Sequence, residues 1–187
     1  MLSFNQFKTL QEARRLPMVY LDLDGVLCDF FAAWWDFHKA KAKKAFAAES
    51  WEELKKIPRD VRDKELASLP NAEEFFATLK PLPGGKKIVH FLRDHDIKFQ
   101  ILSTPLGSDI EGSKAGKTKW LEAHGLGNVK ANFEEDKAAF AKKGDILVDD
   151  YGVNIAKWNL AGGIGIKHDE DTTDNTLELL AKYLLGK

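Results

Sequence analysis

The sequence predicts an α/β protein: a Rossmann-like parallel sheet with a small all-helical segment inserted after the first strand. Three observations predict it. From residue 84 onward, helical stretches alternate with short strand-like runs, the pattern of helix-connected parallel strands. Those runs are short and apolar, such as ILV at 146–148, as expected of strands buried on both faces. Between residues 30 and 80 no strand pattern occurs.

The elements follow in order. Residues 18–23 form the first strand. Residues 30–48 read as a helix, with aromatics first and lysines after. Residues 49–80 form two or three short helices, broken at Pro58 and Pro70, since proline cannot continue a helical ladder. The run PLPGG at 81–85 is strong punctuation. A helix over 85–95 carries Ile88, Val89, Phe91 and Leu92 on its apolar side, and a strand follows at 97–102. Residues 109–113 read as a mobile loop. Next come a helix over 113–124 that stops at Gly125, a strand at 128–133, a helix over 134–143 and a strand at 145–148. A helix over 151–160, a strand at 163–167 and a helix over 173–185 complete the chain. The last helix spaces Leu177, Leu180 and Leu184 along one face.

The chain thus divides into a core of 16–29 plus 83–187, a helical cap of 30–82 and a leader of 1–15. Both ends of the cap fall near the C-terminal edge of the sheet, where open α/β folds bind ligands, so the cap is placed to be a lid. Leu2, Phe4, Phe7 and Leu10 suggest one or two weak amphipathic turns in the leader, read as a frayed helix, without the uninterrupted apolar core of a signal peptide.

Composition narrows the function. Apolar residues make up 44%, with twelve Phe and five Trp, enough for a sizeable core. Basic and acidic residues number 28 and 29, so no global field exists to hold nucleic acid or an anionic membrane. The cap itself carries ten basic and nine acidic residues. Its Lys39, Lys41, Lys43 and Lys44 read as a solvated helix face. One cysteine, Cys28, excludes an internal disulfide and suits a reducing, cytoplasmic compartment. No run approaches the roughly 20 apolar residues of a membrane span.

Polar residues collect where the strands end. The first strand ends in Asp22-Leu23-Asp24-Gly25, the second in Ser103-Thr104 and the fourth in Asp149-Asp150; Glu134, Glu135, Asp136 and Lys137 follow the third. Carboxylates gathered at one edge repel unless a cation joins them, and Asp22, Asp24 and Asp149 are hard oxygen ligands of the kind Mg²⁺ takes. Thiols and imidazoles at metal spacing are absent, and His90 and His95 read as ordinary surface or half-buried side chains. A cation, a hydroxyl and a lysine together suit a phosphoryl group. One aspartate can attack it, and a second two residues on, pointing the same way along a strand, can move the proton.

These residues carry a resemblance. DLDGV at 22–26, ILSTP at 101–105, a lysine after the third strand and ILVDD at 146–150 resemble the four motifs of the haloacid dehalogenase (HAD) superfamily, in order and across the whole core. The resemblance implies Asp22 as nucleophile, Asp24 as general acid/base, Ser103 as phosphate-binding hydroxyl, Lys137 as charge-neutralising lysine and Asp149 as metal ligand. Mg²⁺ would also use the backbone carbonyl of Asp24. The second aspartate favours a phosphatase over a dehalogenase.

DLDGVLCDF, FFATLKPLPG at 75–84, STP, Asp136-Lys137 and VDD further resemble the 5′(3′)-deoxyribonucleotidases, whose helical cap is inserted at the same point. That implies a nucleoside monophosphate substrate, with Phe30 stacking on the base, Thr104 as a second phosphate-side hydroxyl, Lys117 as a further lysine and Trp51 as a second base-side aromatic. Two extra residues between Lys137 and VDD depart from that pattern.

Plainer readings stand beside these. Ser103 and Thr104 are also common turn residues before a proline. Lys137 competes with Lys117 for the motif role, and Asp150 suits metal binding, water positioning or helix capping equally. Phe31, Trp34, Trp35 and Phe37 read as cap packing, and AGGIGIK at 161–167 as a closely packed strand rather than a phosphate loop. Two alternatives to the nucleotidase remain. One is a HAD phosphatase for polynucleotide ends or sugar phosphates. The other is a non-catalytic virion protein, suggested by LQEA at 10–13, which resembles the cleavage site of tailed-phage prohead proteases and raises a phage origin. A homodimer is compatible with either enzyme reading.

Overall fold

Five strands run parallel in a single sheet: β1 (Val19–Leu21), β2 (Phe99–Ser103), β3 (Ala131–Phe133), β4 (Ile146–Asp149) and β5 (Ile164–Lys167). The computed structural model describes residues 17–66 and 68–186. The helices are α1 (Phe30–Phe46), α2 (Trp51–Leu54), α3 (Arg59–Leu66), α4 (Ala72–Ala77), α5 (Pro83–Asp94), α6 (Ile110–Ala123), α7 (Gly152–Leu160) and α8 (Thr173–Leu185). The strand order is β3-β2-β1-β4-β5, with Val19 opposite both Phe99 and Ile146. Winding therefore reverses at β1, which opens a crevice beyond the C-terminal ends of β1, β2 and β4.

Alternate side chains of each strand enter opposite layers. Tyr20, Leu102 and Leu147 pack with Trp158 of α7 on one face. Val19, Leu21, Ile101, Ile146 and Val148 face the other way, into a core shared with Trp34, Leu54, Leu66 and Phe76 of α1–α4. Burial on both faces is why these strands are apolar throughout.

The four helices after β1 leave and rejoin the sheet at one neck. Asp29 N–H donates to the Lys80 carbonyl (2.8 Å) and Leu82 N–H to the Leu27 carbonyl (2.9 Å), while Cys28 and Pro81 oppose each other. The Asp29 side chain also caps α1, accepting from Ala32 N–H at 3.1 Å. Further out, α4 lies against α6. A Cβ on Gly116 would sit 2.3 Å from the Glu73 carbonyl oxygen, so only glycine permits this approach. Trp120 Nε1 donates to the Leu79 carbonyl at 2.8 Å, and Lys119 pairs with Glu73.

Two elements differ from expectation. Residues 134–143 form no α-helix; a 3₁₀ turn spans Lys137–Phe140. Residues three apart eclipse in a 3₁₀ turn. That aims Lys137 inward and lets Phe140 pack edge-on against Tyr20, 6.1 Å away. Residues 109–113 are the start of α6 rather than a loop: Asp109 accepts from Gly112 N–H at 2.9 Å, and buried Ser113 bonds Leu106 N–H and the Ile110 carbonyl. The first strand is also shorter than 18–23, because the chain leaves the ladder after Leu21. Phe37, expected to pack, is half exposed at 49%. The leader 1–15, with LQEA, lies outside the described residues. Among those residues no helix is long and apolar enough to cross a membrane.

Candidate active site

The backbone turn after β1 sets the site. Asp22 N–H still bonds Val148 O (3.0 Å), but Leu27 and Cys28 then both donate to Leu23 O (2.8 and 3.0 Å), and Gly25 donates to Cys28 O (2.9 Å). Gly25 adopts φ +73°, which side-chain-bearing residues rarely take. A Cβ there would lie 2.7 Å from Phe31 Cε2 and 2.9 Å from Asp150 Cγ.

Two buried lysines divide the two aspartates of this turn. Lys137 Nζ lies 2.9 Å from Asp22 Oδ1 and 2.7 Å from Asp149 Oδ2. Leu23 N–H donates to the same Asp22 oxygen at 2.8 Å. Lys117 Nζ instead donates to Asp24 Oδ2 (2.7 Å), Ser103 Oγ (2.9 Å) and the Thr104 carbonyl (2.7 Å). Its three N–H donors are thereby used. The Thr104 hydroxyl donates to Glu134 O at 3.3 Å. Asp22, Ser103, Lys117, Lys137 and Asp149 are all buried.

The carboxylates form a tight set. Asp22, Asp149 and Asp150 each offer an oxygen, all within 4.8 Å of one another. Burial and the neighbouring Asp22 and Asp149 push the Asp150 carboxyl up to about 8. Asp149 is also raised, by burial and by Asp22, against the pull of Lys137 and the Tyr151 N–H. Burial raises Asp24 as well, with Lys117 opposing. For Lys137, burial alone would lower the pKa, but Asp22 and Asp149 outweigh it and raise it. Three crowded carboxylate oxygens are a fitting donor set for a hard divalent cation. The Asp24 carboxylate, turned to Lys117, is not in that set.

Aromatic rings border the site at Lys117 and at Gly25. Phe30 lies between Trp34 (5.3 Å) and Phe76 (5.9 Å), both stacked, and Lys117 Nζ sits 4.8 Å from the Phe76 ring centre. Phe31, next to Gly25 and Asp150, stacks on Trp51 at 5.0 Å, and Arg62 lies over Trp51 at 5.2 Å.

The family of 5′ nucleotidase, deoxy (Pyrimidine), cytosolic type C proteins matches residues 16–177, most of the chain and every residue of this site. The chain belongs to that family. It is a phosphatase of the HAD type, like the 5′-nucleotidases. Among solved structures, a hydrolase from Streptococcus pneumoniae TIGR4 is similar at 11% identity, covering 87% of this chain and 98% of that one with a TM-score of 0.54. A HAD family hydrolase from Deinococcus radiodurans R1, solved with bound phosphate and sodium, is similar at 15% identity over 80% of this chain and 79% of that one, TM-score 0.49. At these identities the likeness is one of fold, and it rests on the Streptococcus structure. No curated protein matches significantly.

The structure brings Asp22, Asp24, Ser103, Thr104, Lys137 and Asp149 together at one edge, and Lys117 of α6 reaches in beside them. It adds residues that reasoning passed over. Asn154 donates to both oxygens of Asp149 (3.2 and 3.1 Å), a contact signalled only by a polar residue in the first turn of α7. Phe31, which reads as cap packing in the sequence, borders Gly25 and Asp150 with its ring. His90 and His95 are exposed, and Lys39, Lys41, Lys43 and Lys44 form an exposed face on α1.

Proposed function

We propose that the chain is a Mg²⁺-dependent 5′-nucleotidase acting on deoxynucleoside monophosphates through an aspartyl phosphate on Asp22. The observation that carries this reading is the division of labour between the lysines: Lys137 holds Asp22 and Lys117 holds Asp24. Lys137 keeps the Asp22 carboxylate oriented and offsets charge where a phosphate would arrive. An Asp22 oxygen attacks phosphorus as the ester P–O bond breaks, and Asp24 gives its proton to the leaving oxygen. Water then attacks phosphorus, Asp24 takes a proton back, and phosphate leaves with Asp22 restored. The raised pKa of Asp24 suits it to carry that proton. Ser103 and Thr104 serve the phosphate oxygens. Asp22, Asp149 and Asp150, with the Asp24 carbonyl, would hold Mg²⁺, which supplies charge neutralisation at the phosphoryl group. Helices α1–α4, residues 30–82, act as the cap over the core of 16–29 and 83–187. Phe30, Phe31 and Trp51 line the base side.

Phosphate release from deoxy- and ribonucleoside monophosphates, sugar phosphates and a 5′-phosphorylated oligonucleotide tests this, with and without Mg²⁺. Release from deoxynucleoside monophosphates should require Mg²⁺ and vanish in Asp22→Asn. Substantial turnover by Asp22→Asn would sink the mechanism, and release only from sugars or the oligonucleotide would sink the substrate. Trp51→Ala should raise KM by about tenfold or more and spare kcat, since stacking one base is worth roughly 1–3 kcal/mol. An unchanged KM would remove Trp51 from the base site.

A further inference from the structure

Behind the catalytic turn, between α5 and α6, lies a cavity of about 300 Å³. That is the small end of the range for ligand pockets, roughly 300–1,000 Å³. None of the aspartates lines it, and the proposed reaction does not use it. Its floor is apolar, built from Leu27, Trp120 and Leu126, all buried. Its rim carries two positive charges, Lys86 and Arg93, exposed with His90 around it, and no carboxylate lines it. Arg93 is fixed in place by donating from Nη2 to the Gly125 carbonyl at 2.8 Å. Lys86 and His90 make no ion pair among the described residues. His124, also on the lining, stacks on Trp120 at 4.1 Å with planes 22° apart and so covers part of that ring.

An apolar floor beneath the Lys86 ammonium and the Arg93 guanidinium suits a small molecule with an apolar ring for the floor and an anionic group for the rim. We propose that this cavity binds a small aromatic anion, such as an aryl carboxylate, sulfonate or phosphate, as an effector. Two walls connect it to the chemistry. Leu27 belongs to the catalytic turn, its N–H bonded to Leu23 O at 2.8 Å, and Gly85 of α5 is packed so closely that a Cβ would lie 2.4 Å from Val26 O. Trp120 stands one turn along α6 from Lys117, on the same side of the helix. A molecule seated here touches both the turn that carries Asp22 and Asp24 and the helix that carries Lys117.

The test uses naphthalenesulfonate, which has no phosphoester to hydrolyse, with naphthalenesulfonamide as its neutral counterpart. Calorimetry on the full chain reads binding without reference to turnover, so it stands whether or not the proposed reaction does. The expected result is saturable binding of one sulfonate per chain, with the sulfonamide about tenfold weaker or more. The double variant Lys86→Glu/Arg93→Glu should weaken sulfonate binding by about tenfold or more. Lys86 is exposed and takes no part in the Arg93–Gly125 bond, so Lys86→Glu alone should match the wild type in melting temperature and basal phosphate release, and circular dichroism should show the double variant folded. Addition of the sulfonate should change the turnover of the wild type and leave that of the double variant alone. Absence of saturable binding, equal binding of the neutral compound, or undiminished binding by the double variant would overturn the site. Binding at this cavity with turnover unmoved would overturn its role as an effector site.

Discussion

Lys137 sits where the electrostatics of the site are most tightly balanced. It touches Asp22 and Asp149, and all three side chains are nearly or fully buried. Lys137→Ala would leave two buried carboxylates facing each other without a counter-charge, which costs about 3–5 kcal/mol. Urea denaturation near neutral pH should show that loss together with loss of phosphate release. His38 makes a second residue-scale prediction. It is buried between Trp34 and Phe37, its Nε2 has no partner, and burial, with Lys41 nearby, lowers its pKa from 6.5 to about 4. Between those values the unfolded chain binds a proton that the folded chain refuses, so stability there rises with pH. As pH falls from 6.5 towards about 4, the wild type should lose stability that His38→Phe retains, a difference visible in paired thermal melts. At this scale much of the site was legible in the sequence. Asp22, Asp24, Ser103 and Asp149 stand at strand ends, and strand ends in a parallel sheet share one edge. Phe31 was not legible, because its place depends on the left-handed turn at Gly25, and Asp150 stayed open between metal binding, water positioning and capping, since side-by-side pairing of the two strands is what brings it to Asp22.

Close contact between helices joins the inserted segment to the sheet's own helices. Gly116 on α6 faces the backbone of Glu73 on α4, and its neighbour Lys117 reaches Asp24 and Ser103. Gly116→Ala should therefore push α4 outward and disturb Lys117, at a cost of about 1–3 kcal/mol. Gly152→Ala, where an added methyl meets nothing within 4 Å, is the control and should melt like the wild type. Differential scanning calorimetry with parallel phosphate-release assays would separate the two. The sequence showed most elements within a few residues, since apolar runs and proline or glycine breaks mark them directly. It misplaced residues 134–143 because the pattern there suits a helix locally. The need to deliver Lys137 inward while Phe140 packs on Tyr20 is a tertiary demand that local pattern does not carry. Likewise, Asp109 reads as a polar loop residue until its bond to Gly112 N–H identifies it as the cap of α6.

Across the whole molecule, the reversal of winding at β1 places the central strand's end beneath the crevice, with β2 and β4 contributing from either side. A cation held by Asp22, Asp149 and Asp150 would bind the folded chain and not the unfolded one. Mg²⁺ at about a hundred times its dissociation constant should then stabilise the fold by about 2.7 kcal/mol. Thermal melts should rise with added Mg²⁺, fall back with chelator, and lose the response in Asp149→Asn. A melt indifferent to Mg²⁺ would argue against the carboxylate set as its holder. The sheet order was foreseeable only as a class, parallel with helical crossovers, because which strands become neighbours is set by packing between distant segments. The neck at residues 27–29 and 80–82 has a broader consequence. The helices between begin and end at two hydrogen-bonded positions, so closing that excursion demands little more chain entropy for a long insert than for a short one. What is strung across the neck can grow, shrink or be exchanged over evolutionary time without rethreading the sheet. The reacting end of such a protein can stay constant while the part that meets new substrates is rewritten.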